Sequence, residues 1–242
     1  MAHQLIVNGL PVETGTSPPV VTDRILPLLA AMSPPAGGRA FAFLAGPPGS
    51  GKSTLAELIR IAAEEQGLAL DVVGMDGFHH RQDYLASHEA VVNGRRVPLT
   101  QVKGSPESFD LERLDAFLTR SASEDVLWPA YDRTIHDVVD DRIPVTAPLV
   151  LLEGNWLLLD EPGWQSLRSH ARLTIFVTAP VELLHERLVA RKQAGGLSRQ
   201  EAESFYRASD RHNVVRCLGN TTRNTDLTLR VTPEGQLEEV TQ

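Results

Sequence analysis

Short apolar runs alternate along the chain with segments in which apolar residues recur every three or four positions. The apolar runs are typical of buried strands, and they lie at residues 40–45, 68–75, 148–156, 172–177 and 226–231. Strands that alternate with helices form a parallel sheet covered by those helices. The pattern therefore predicts an α/β fold with a mostly parallel five-stranded sheet and helices on both faces.

The segments between the runs predict amphipathic helices. After the first strand, Leu55, Leu58, Ile59 and Ala62 share one face of such a helix. The helical patterns as a whole cover residues 21–32, 53–65, 109–121, 163–170, 180–193 and 198–218.

Two predicted helices near the C-terminus are separated by a break that could act as a hinge. Gly195 and Gly196 follow the first of them. Ser198 and Glu201 then form a capping box, which starts the second helix. The pattern predicts a helical lid at this place.

The N-terminal part of the chain is predicted to pack on one main domain. Residues 1–38 form this N-terminal lead, with a hairpin signal at Asn8 and Gly9, and residues 39–242 form the domain. Residues 81–108 show no periodic pattern and predict a long loop, which in a compact domain is usually functional or mobile.

The segment between the first strand and its helix matches G-x-x-x-x-G-K-[ST], the Walker A pattern or P-loop. A strand before it and a helix after it are the context in which this loop binds phosphate, although a glycine-rich turn without function is the alternative. The predicted fold is accordingly the three-layer fold of P-loop NTPases. The nucleotide-binding residues predicted from the motif are Gly46, Pro47, Pro48, Gly49, Ser50, Gly51, Lys52, Ser53 and Thr54.

The chemistry of this loop predicts ATP and Mg²⁺ as cofactors. Backbone N–H groups of the loop and the positive end of the helix hold phosphate oxygens. Lys52 is expected to reach the β- and γ-phosphates, and the Ser53 hydroxyl is expected to contact Mg²⁺.

Two acidic residues follow predicted strands, at the sheet edge where open α/β folds bind their ligands. Asp76 is the candidate base or orienting group for an attacking hydroxyl, and its alternative role is a cap at the strand end. Glu153 is the candidate for holding Mg²⁺ through water or for positioning the acceptor, and the alternative is a solvated strand end.

Further polar residues complete the candidate site. Arg187 and Arg191 lie one turn apart on a predicted helix and are expected to close over phosphates, unless they are simply solvated. Residues that could bind a polyol or an acidic group on the acceptor are His79, Tyr84, Lys103, Tyr131 and Arg133.

Composition limits the possible partners. A net charge of -8 without a basic run argues against a nucleic-acid surface. The single Cys217 excludes an internal disulfide, no apolar run approaches the roughly 20 residues of a membrane span, and no secretory signal precedes the first strand. We expect a cytoplasmic enzyme with a small-molecule acceptor, no membrane partner and a possible homodimer.

Several motifs occur in an order that resembles one group of P-loop kinases. Besides the P-loop they are Asp-Gly-Phe-His at 76–79, Lys-Gly-Ser-Pro-Glu-Ser-Phe-Asp at 103–110, Pro-x-Tyr-Asp-Arg at 129–133 and Glu-Gly-Asn at 153–155. The chain is similar over residues 2–233 to uridine kinases, phosphoribulokinases and bacterial pantothenate kinases, and within them to a branch labelled sugar or nucleoside kinase, which includes fructose-transport-associated kinases.

This resemblance implies an ATP-dependent phosphotransferase that acts on a hydroxyl of a sugar or nucleoside. Uridine kinases tend to carry Asp-x-Phe-Tyr where this chain has Asp-Gly-Phe-His, which argues against uridine itself. Pantothenate kinase-like activity is one alternative. A switch or assembly NTPase that hydrolyses ATP or GTP is another, although the chain lacks the Asn-Lys-x-Asp motif that reads guanine.

Overall fold

The computed structural model describes residues 3–7, 10–14, 18–92, 94–222 and 224–240. Its strands are β1 (His3–Val7), β2 (Leu10–Thr14), β3 (Ala40–Ala45), β4 (Leu70–Gly74), β5 (Glu89–Val92), β6 (Arg95–Pro98), β7 (Val126–Asp132), β8 (Asp137–Val145), β9 (Leu149–Gly154), β10 (Ala171–Thr178), β11 (Leu227–Val231) and β12 (Leu237–Glu239).

The α-helices are α1 (Leu26–Ala30), α2 (Lys52–Glu65), α3 (Gln82–Ser87), α4 (Leu111–Ser121), α5 (Val181–Ala194), α6 (Arg199–Phe205) and α7 (Arg211–Asn220). Short 3₁₀ segments lie at Met75–Phe78, Leu99–Val102, Pro106–Ser108 and Gln165–His170, and π-helical turns lie at Val21–Ile25 and Tyr206–Asp210. Among the helices of the described residues, none is long and apolar enough to cross a membrane.

The central sheet has the strand order β12-β11-β10-β3-β9-β4. The five strands from β11 to β4 are parallel, and they are the five strands predicted from the apolar runs. The sixth strand, β12, pairs antiparallel at the edge and was not predicted, because its Leu-Glu-Glu sequence carries no apolar run. The carboxyl ends of the parallel strands therefore share one edge.

Both faces of the sheet are covered, as predicted. Alternate residues of β3 enter two separate apolar cores, with Ala42 and Leu44 in one and Phe41 and Phe43 in the other. The first core packs against α1, α2 and α5, and the second against α4 and β7. All six residues of β3 are buried, which explains why this strand is apolar throughout.

The N-terminal segment contributes to the first core. Val21, Ile25, Leu26 and Leu29 are buried there together with residues of α2. Strands β1 and β2 form the predicted hairpin, while its turn residues Asn8 and Gly9 lie outside the described residues. The division of the chain at residue 38 stays a prediction.

The prediction of a structureless loop at residues 81–108 is wrong. This stretch contains α3 and the hairpin of β5 and β6, with Leu85, Ala90 and Leu99 forming a small apolar core. The Asn-Gly pair in the sequence at 93–94 is a hairpin signal that the interpretation missed. Gly94 itself lies in the left-handed region, with φ of 74°.

A second hairpin, β7 with β8, was also missed. Pro129 and Pro144 stand inside its strands, and proline makes a strand hard to predict from sequence. The pairing register shifts between Trp128 and Ala130, on either side of Pro129. The indole Nε1 of Trp128 donates to the carbonyl of Gly74 at 2.9 Å, which ties the hairpin to the end of β4.

The helices near the C-terminus follow the prediction with small differences. The capping box of Ser198 and Glu201 is present, and α5 ends before Gly195 as predicted. Pro180 caps α5 rather than occupying its first turn, and the helix predicted at 198–218 is divided by the π-helical turn Tyr206–Asp210. The helix predicted at 163–170 is a 3₁₀ segment.

Candidate active site

The loop between β3 and α2 has a backbone that only glycine accommodates at three points. Gly49 and Gly51 have φ of 85° and 86°, in the left-handed region. A Cβ on Gly46 would lie 2.4 Å from the carbonyl oxygen of Val177, so a side chain cannot fit there. Strand, glycine loop and helix therefore occur in the order that the motif predicted.

Polar groups of this loop are available to a ligand. Gly51 is the N-cap of α2 and supplies no side chain to the free N–H groups of the first turn. The Ser50 hydroxyl is buried and has no hydrogen-bond partner within the described residues. Together with the left-handed glycines, these groups fit the phosphate chain of a nucleotide.

The Ser53 hydroxyl and the Glu153 carboxylate meet at the centre of the site. Ser53 Oγ donates to Glu153 Oε1 at 3.0 Å. This contact follows from the sheet, because β9 pairs with β3 and sets Glu153 opposite Leu44, two residues before Gly46. The two oxygens are hard ligands of the kind that bind a divalent cation, so the pair fits the metal that the loop implies.

Burial raises the pKa of the Glu153 carboxyl, and the nearby charge of Asp76 raises it further. The charge of Lys52, the hydrogen bond from Ser53 and the charge of Arg133 act in the opposite direction. Glu153 is thus a carboxylate whose charge is costly without a cation beside it.

Two motif glycines permit close packing on either side of Asp76 in the sequence and at the end of β9. A Cβ on Gly77 would lie 2.1 Å from the carbonyl oxygen of Pro129, and a Cβ on Gly154 would lie 2.1 Å from the side chain of Met75. The glycines of Asp-Gly-Phe-His and Glu-Gly-Asn are therefore needed for packing. They let the end of β4 fit between β7 and the end of β9.

Asp76 lies beside polar residues that the sequence analysis predicted for the acceptor side. Arg133 Nη2 lies 3.7 Å from Asp76 Oδ2. The ring of His79 is buried and lies against Phe109, with 3.8 Å between centroids and 36° between the ring planes. Its Nδ1 makes a 2.9 Å hydrogen bond to the carbonyl oxygen of Asp76. A carbonyl only accepts, so Nδ1 carries the proton and Nε2 is an acceptor.

Burial lowers the pKa of His79, which keeps the ring neutral at physiological pH. The charges of Asp76, Lys103 and Arg133 all act on this ring, so His79 lies among them. Its neutral form can accept a hydrogen bond from a hydroxyl group without carrying a charge into the site.

Lys103 and Tyr131 form the far side of the cluster. Lys103 Nζ donates to Tyr131 Oη at 2.8 Å and to the carbonyl oxygen of His136 at 3.0 Å. Burial lowers the pKa of Lys103 and raises the pKa of Tyr131. Tyr84, which was predicted alongside them, instead stacks on His80 at 4.0 Å and on His88 at 3.7 Å between centroids.

The two arginines of α5 point toward the phosphate loop and the cluster. Arg187 Nη1 donates to the carbonyl oxygen of Gly49 at 3.4 Å. Arg191 lies within electrostatic range of Asp76, Arg133 and Asp210, and the surrounding protein lowers its pKa. Movement of this helix on nucleotide binding stays a prediction.

Sequence reasoning missed three polar residues of this cleft. Lys192 and Asp210 interact electrostatically with each other, and the Asp210 Oδ2 atom is buried without a hydrogen-bond partner in the described chain. Asn213 is 8% exposed, and its Nδ2 lies 3.7 Å from the point that a Cβ on Gly104 would occupy. The sequence offered one signal for them: Asp210 and Asn213 are polar residues three positions apart on the inward face of the helix predicted at 198–218.

The fold and the site define a P-loop kinase, which transfers phosphate to a hydroxyl group. The model of the phosphoribulokinase / uridine kinase family matches residues 42–238. The chain belongs to this family.

Individual relatives cover most of the chain. A protein of Escherichia coli named "uncharacterized protein YggC" is 40% identical over 242 residues and covers 98% of both chains. A protein of Schizosaccharomyces pombe, provisionally named uridine kinase C227.14, is 27% identical over 71% of this chain and 74% of its own. A crystal structure from Silicibacter sp. TM1040, provisionally named a fructose transport system kinase, has a TM-score of 0.75 at 31% identity and covers 86% of this chain and 98% of its own.

Proposed function

We propose that this protein transfers the γ-phosphate of ATP to a hydroxyl of a sugar or nucleoside, with Mg²⁺ as the metal. One observation carries the proposal. Asp76 follows β4 at the same sheet edge as Glu153, acts electrostatically on the Glu153 carboxyl and lies 3.7 Å from Arg133. A carboxylate in that position can receive the proton of an attacking hydroxyl.

The phosphate side supplies charge neutralisation. Lys52, Arg187 and Arg191 provide positive charge where negative charge spreads over the transferred group. Ser53 and Glu153 would hold Mg²⁺, which supplies further positive charge on the phosphate oxygens when bound. These residues position and stabilise the donor, and they take no part in covalent bonding.

The acceptor side orients the hydroxyl. Asp76 accepts its proton, while Arg133 holds the carboxylate in place. The Nε2 atom of His79 accepts a hydrogen bond from a second hydroxyl, and Tyr131 Oη can donate one because Lys103 already donates to it. Alternating donors and acceptors of this kind suit a polyhydroxylated molecule.

The relatives support a small acceptor of this kind. Two of them carry provisional names that refer to uridine and to fructose, and the second is 31% identical to this chain. We place the reaction in the cytoplasm, where ATP is available, with residues 1–38 packed on the kinase domain and with a homodimer as the possible assembly.

The test is the mass of the products after incubation with ATP, Mg²⁺ and a pool of sugars, nucleosides and pantothenate. We expect an increase by one phosphate in a sugar or nucleoside. Phosphorylation of pantothenate alone would contradict the sugar-or-nucleoside acceptor and favour the alternative, pantothenate kinase-like activity. ADP formation at the same rate with and without the pool would point to an NTPase and contradict the proposal.

A further inference from the structure

The cleft concentrates positive charge in a chain whose net charge is -8. Its cationic side chains are Lys52, Lys103, Arg133, Arg187, Arg191 and Lys192. Three carboxylates, Asp76, Glu153 and Asp210, lie among these cations, and burial raises the pKa of Glu153 and Asp210.

The lysines of the cleft have no carboxylate partner. Within the described part of the chain, no carboxylate oxygen lies within 4.0 Å of the Nζ atom of Lys52, Lys103 or Lys192. Lys192 lies over the ring of Phe205, with Nζ 3.5 Å from its centroid. Lys52 belongs to the phosphate loop, where binding of the nucleotide gives it a partner. Lys103 lies outside that loop, and nucleotide binding gives it no role.

Lys103 lies beside the residues that surround Asp76. Its Nζ donates to Tyr131 Oη, and the Tyr131 ring lies 5.4 Å from the ring of His79 between centroids. His79 Nδ1 in turn bonds to the carbonyl oxygen of Asp76 at 2.9 Å. These contacts assign Lys103 to the acceptor and not to the γ-phosphate.

The environment of Lys103 is incomplete without an anion. Its Nζ donates to two neutral oxygens, Tyr131 Oη and the carbonyl of His136, and an ammonium group has a third N–H to donate. The acid that affects it electrostatically is Asp137, but no carboxylate oxygen lies within 4.0 Å of Nζ in the described residues, and Asp137 Oδ1 accepts from the backbone N–H groups of Gln82 and Val138. A half-buried ammonium without an anion in direct contact is only partly compensated.

We propose that the acceptor is an anion: a hydroxyl-bearing molecule with a carboxylate or phosphate group that Lys103 and Tyr131 bind. Lys103 supplies the charge, and the Tyr131 hydroxyl donates a second hydrogen bond to the same group. Asp76 faces the hydroxyl at the other end of the molecule. This inference rests on the proposed function, and it selects sugar acids and sugar phosphates over neutral sugars and nucleosides.

The test uses acceptors that share a carbon skeleton and differ in charge. For each of several hexose and pentose skeletons, the assay compares the neutral sugar, the corresponding aldonic acid and the sugar phosphate, with nucleosides as a separate set. The measurement is kcat and KM of ADP formation, with product mass to confirm transfer. We expect turnover with an acid or a sugar phosphate and at least tenfold lower kcat/KM with its neutral counterpart.

Two variants connect this selectivity to Lys103. Lys103→Met should raise the KM of the anionic acceptor about 10- to 100-fold, the value of a charge-assisted hydrogen bond, with a much smaller change in kcat and in the KM of ATP. Lys103→Arg should restore part of the affinity. Arg172→Met is the matched control, since it removes an exposed cation near the amino end of β10, at the opposite edge of the sheet.

The outcomes separate this inference from the function it rests on. If neutral sugars or nucleosides are the better substrates, the kinase function holds and the anionic acceptor is wrong. If Lys103→Met lowers kcat/KM equally for charged and neutral acceptors, Lys103 is structural and the inference fails. If no acceptor of any set is phosphorylated, the proposed function fails and this inference fails with it.

Discussion

The two halves of the cleft are built in different ways. The phosphate half is built around one continuous loop, residues 46–54, which Glu153 and the arginines of α5 join from other elements. The proposed acceptor half comes entirely from separate places: the end of β4, the segment before α4 and the β7–β8 hairpin. The loop is local in sequence, whereas the acceptor half exists only after the chain has folded.

This difference explains how a single family serves several substrates. A loop that recognises phosphate needs only backbone N–H groups, one lysine and a hydroxyl, which any acceptor leaves unchanged. In our proposal the acceptor half depends on side chains such as Lys103 and Tyr131, which contact each other and can change without disturbing the loop. The substrate should therefore be set by the part of the site that the motif does not include.

The largest expected effect comes from the residue between the two halves. Asp76→Asn keeps the shape of the side chain but removes the proton acceptor, so we expect kcat to fall about 10²- to 10⁴-fold. The affinity for ATP should change little. Transfer kinetics with the acceptor found in the screen, together with ATP binding by calorimetry, check this. A kcat within threefold of the wild type would leave Asp76 with a structural role only.

Lys52→Met tests the phosphate half alone. Loss of its charge should lower kcat by roughly 10²- to 10³-fold, the cost of removing one electrostatic contact in the transition state. Unlike Asp76→Asn, it should also weaken ATP binding. If Lys52→Met and Asp76→Asn changed the affinity for ATP to the same extent in the same titration, the assignment of Lys52 to phosphate binding and of Asp76 to transfer would be contradicted.

A pair of glycine substitutions tests how the halves are joined. Gly77→Ala would bring a Cβ to 2.1 Å from the backbone oxygen of Pro129, and we expect it to cost at least about 1–3 kcal/mol. Gly219 lies in α7 with no atom within 4 Å of its Cβ position, so Gly219→Ala should stabilise by about 0.5–1 kcal/mol. Urea denaturation measures both, and equal effects would contradict the close approach of β4 and β7.

The smallest expected effect concerns Glu153 and pH. Its pKa is raised in the folded protein, so the native state binds more protons than the unfolded chain between the two pKa values, and stability falls as pH rises through that window. Glu153→Gln removes this loss. Relative to wild type it should raise Tm above the window by about 2–4 °C, which corresponds to about 1 kcal/mol, while lowering activity.

The control for this experiment is Glu65→Gln, at the exposed end of α2. It removes a carboxylate without changing the cleft, so a Tm change that appears in both variants would come from loss of a negative charge in general and not from Glu153. A Glu153→Gln protein that is no more stable than wild type at any pH would show that the buried charge is already compensated.

The sequence alone predicted the elements whose signals are local. The central parallel strands β3 and β9 are apolar runs because both faces of the sheet are covered, and the capping box of Ser198 and Glu201 spans only four positions. The phosphate loop belongs to the same class, since Gly49 and Gly51 act through their own left-handed backbone, although the need for Gly46 comes from the distant Val177. The roles of its side chains, and of Asp76 and Glu153, stay predictions.

Other features were decided only by tertiary structure. Pro129 and Pro144 made the β7–β8 hairpin hard to predict from the sequence. The hairpin is stabilised by the pairing of β7 with β8 and by the hydrogen bond from Trp128 to Gly74. The packing role of Gly77 depends on Pro129, more than fifty positions away in the chain, so no local pattern carries it. The same holds for the contact of Lys103 with Tyr131. The sequence determines that Lys103 carries a charge, but only the tertiary structure determines which groups lie beside it.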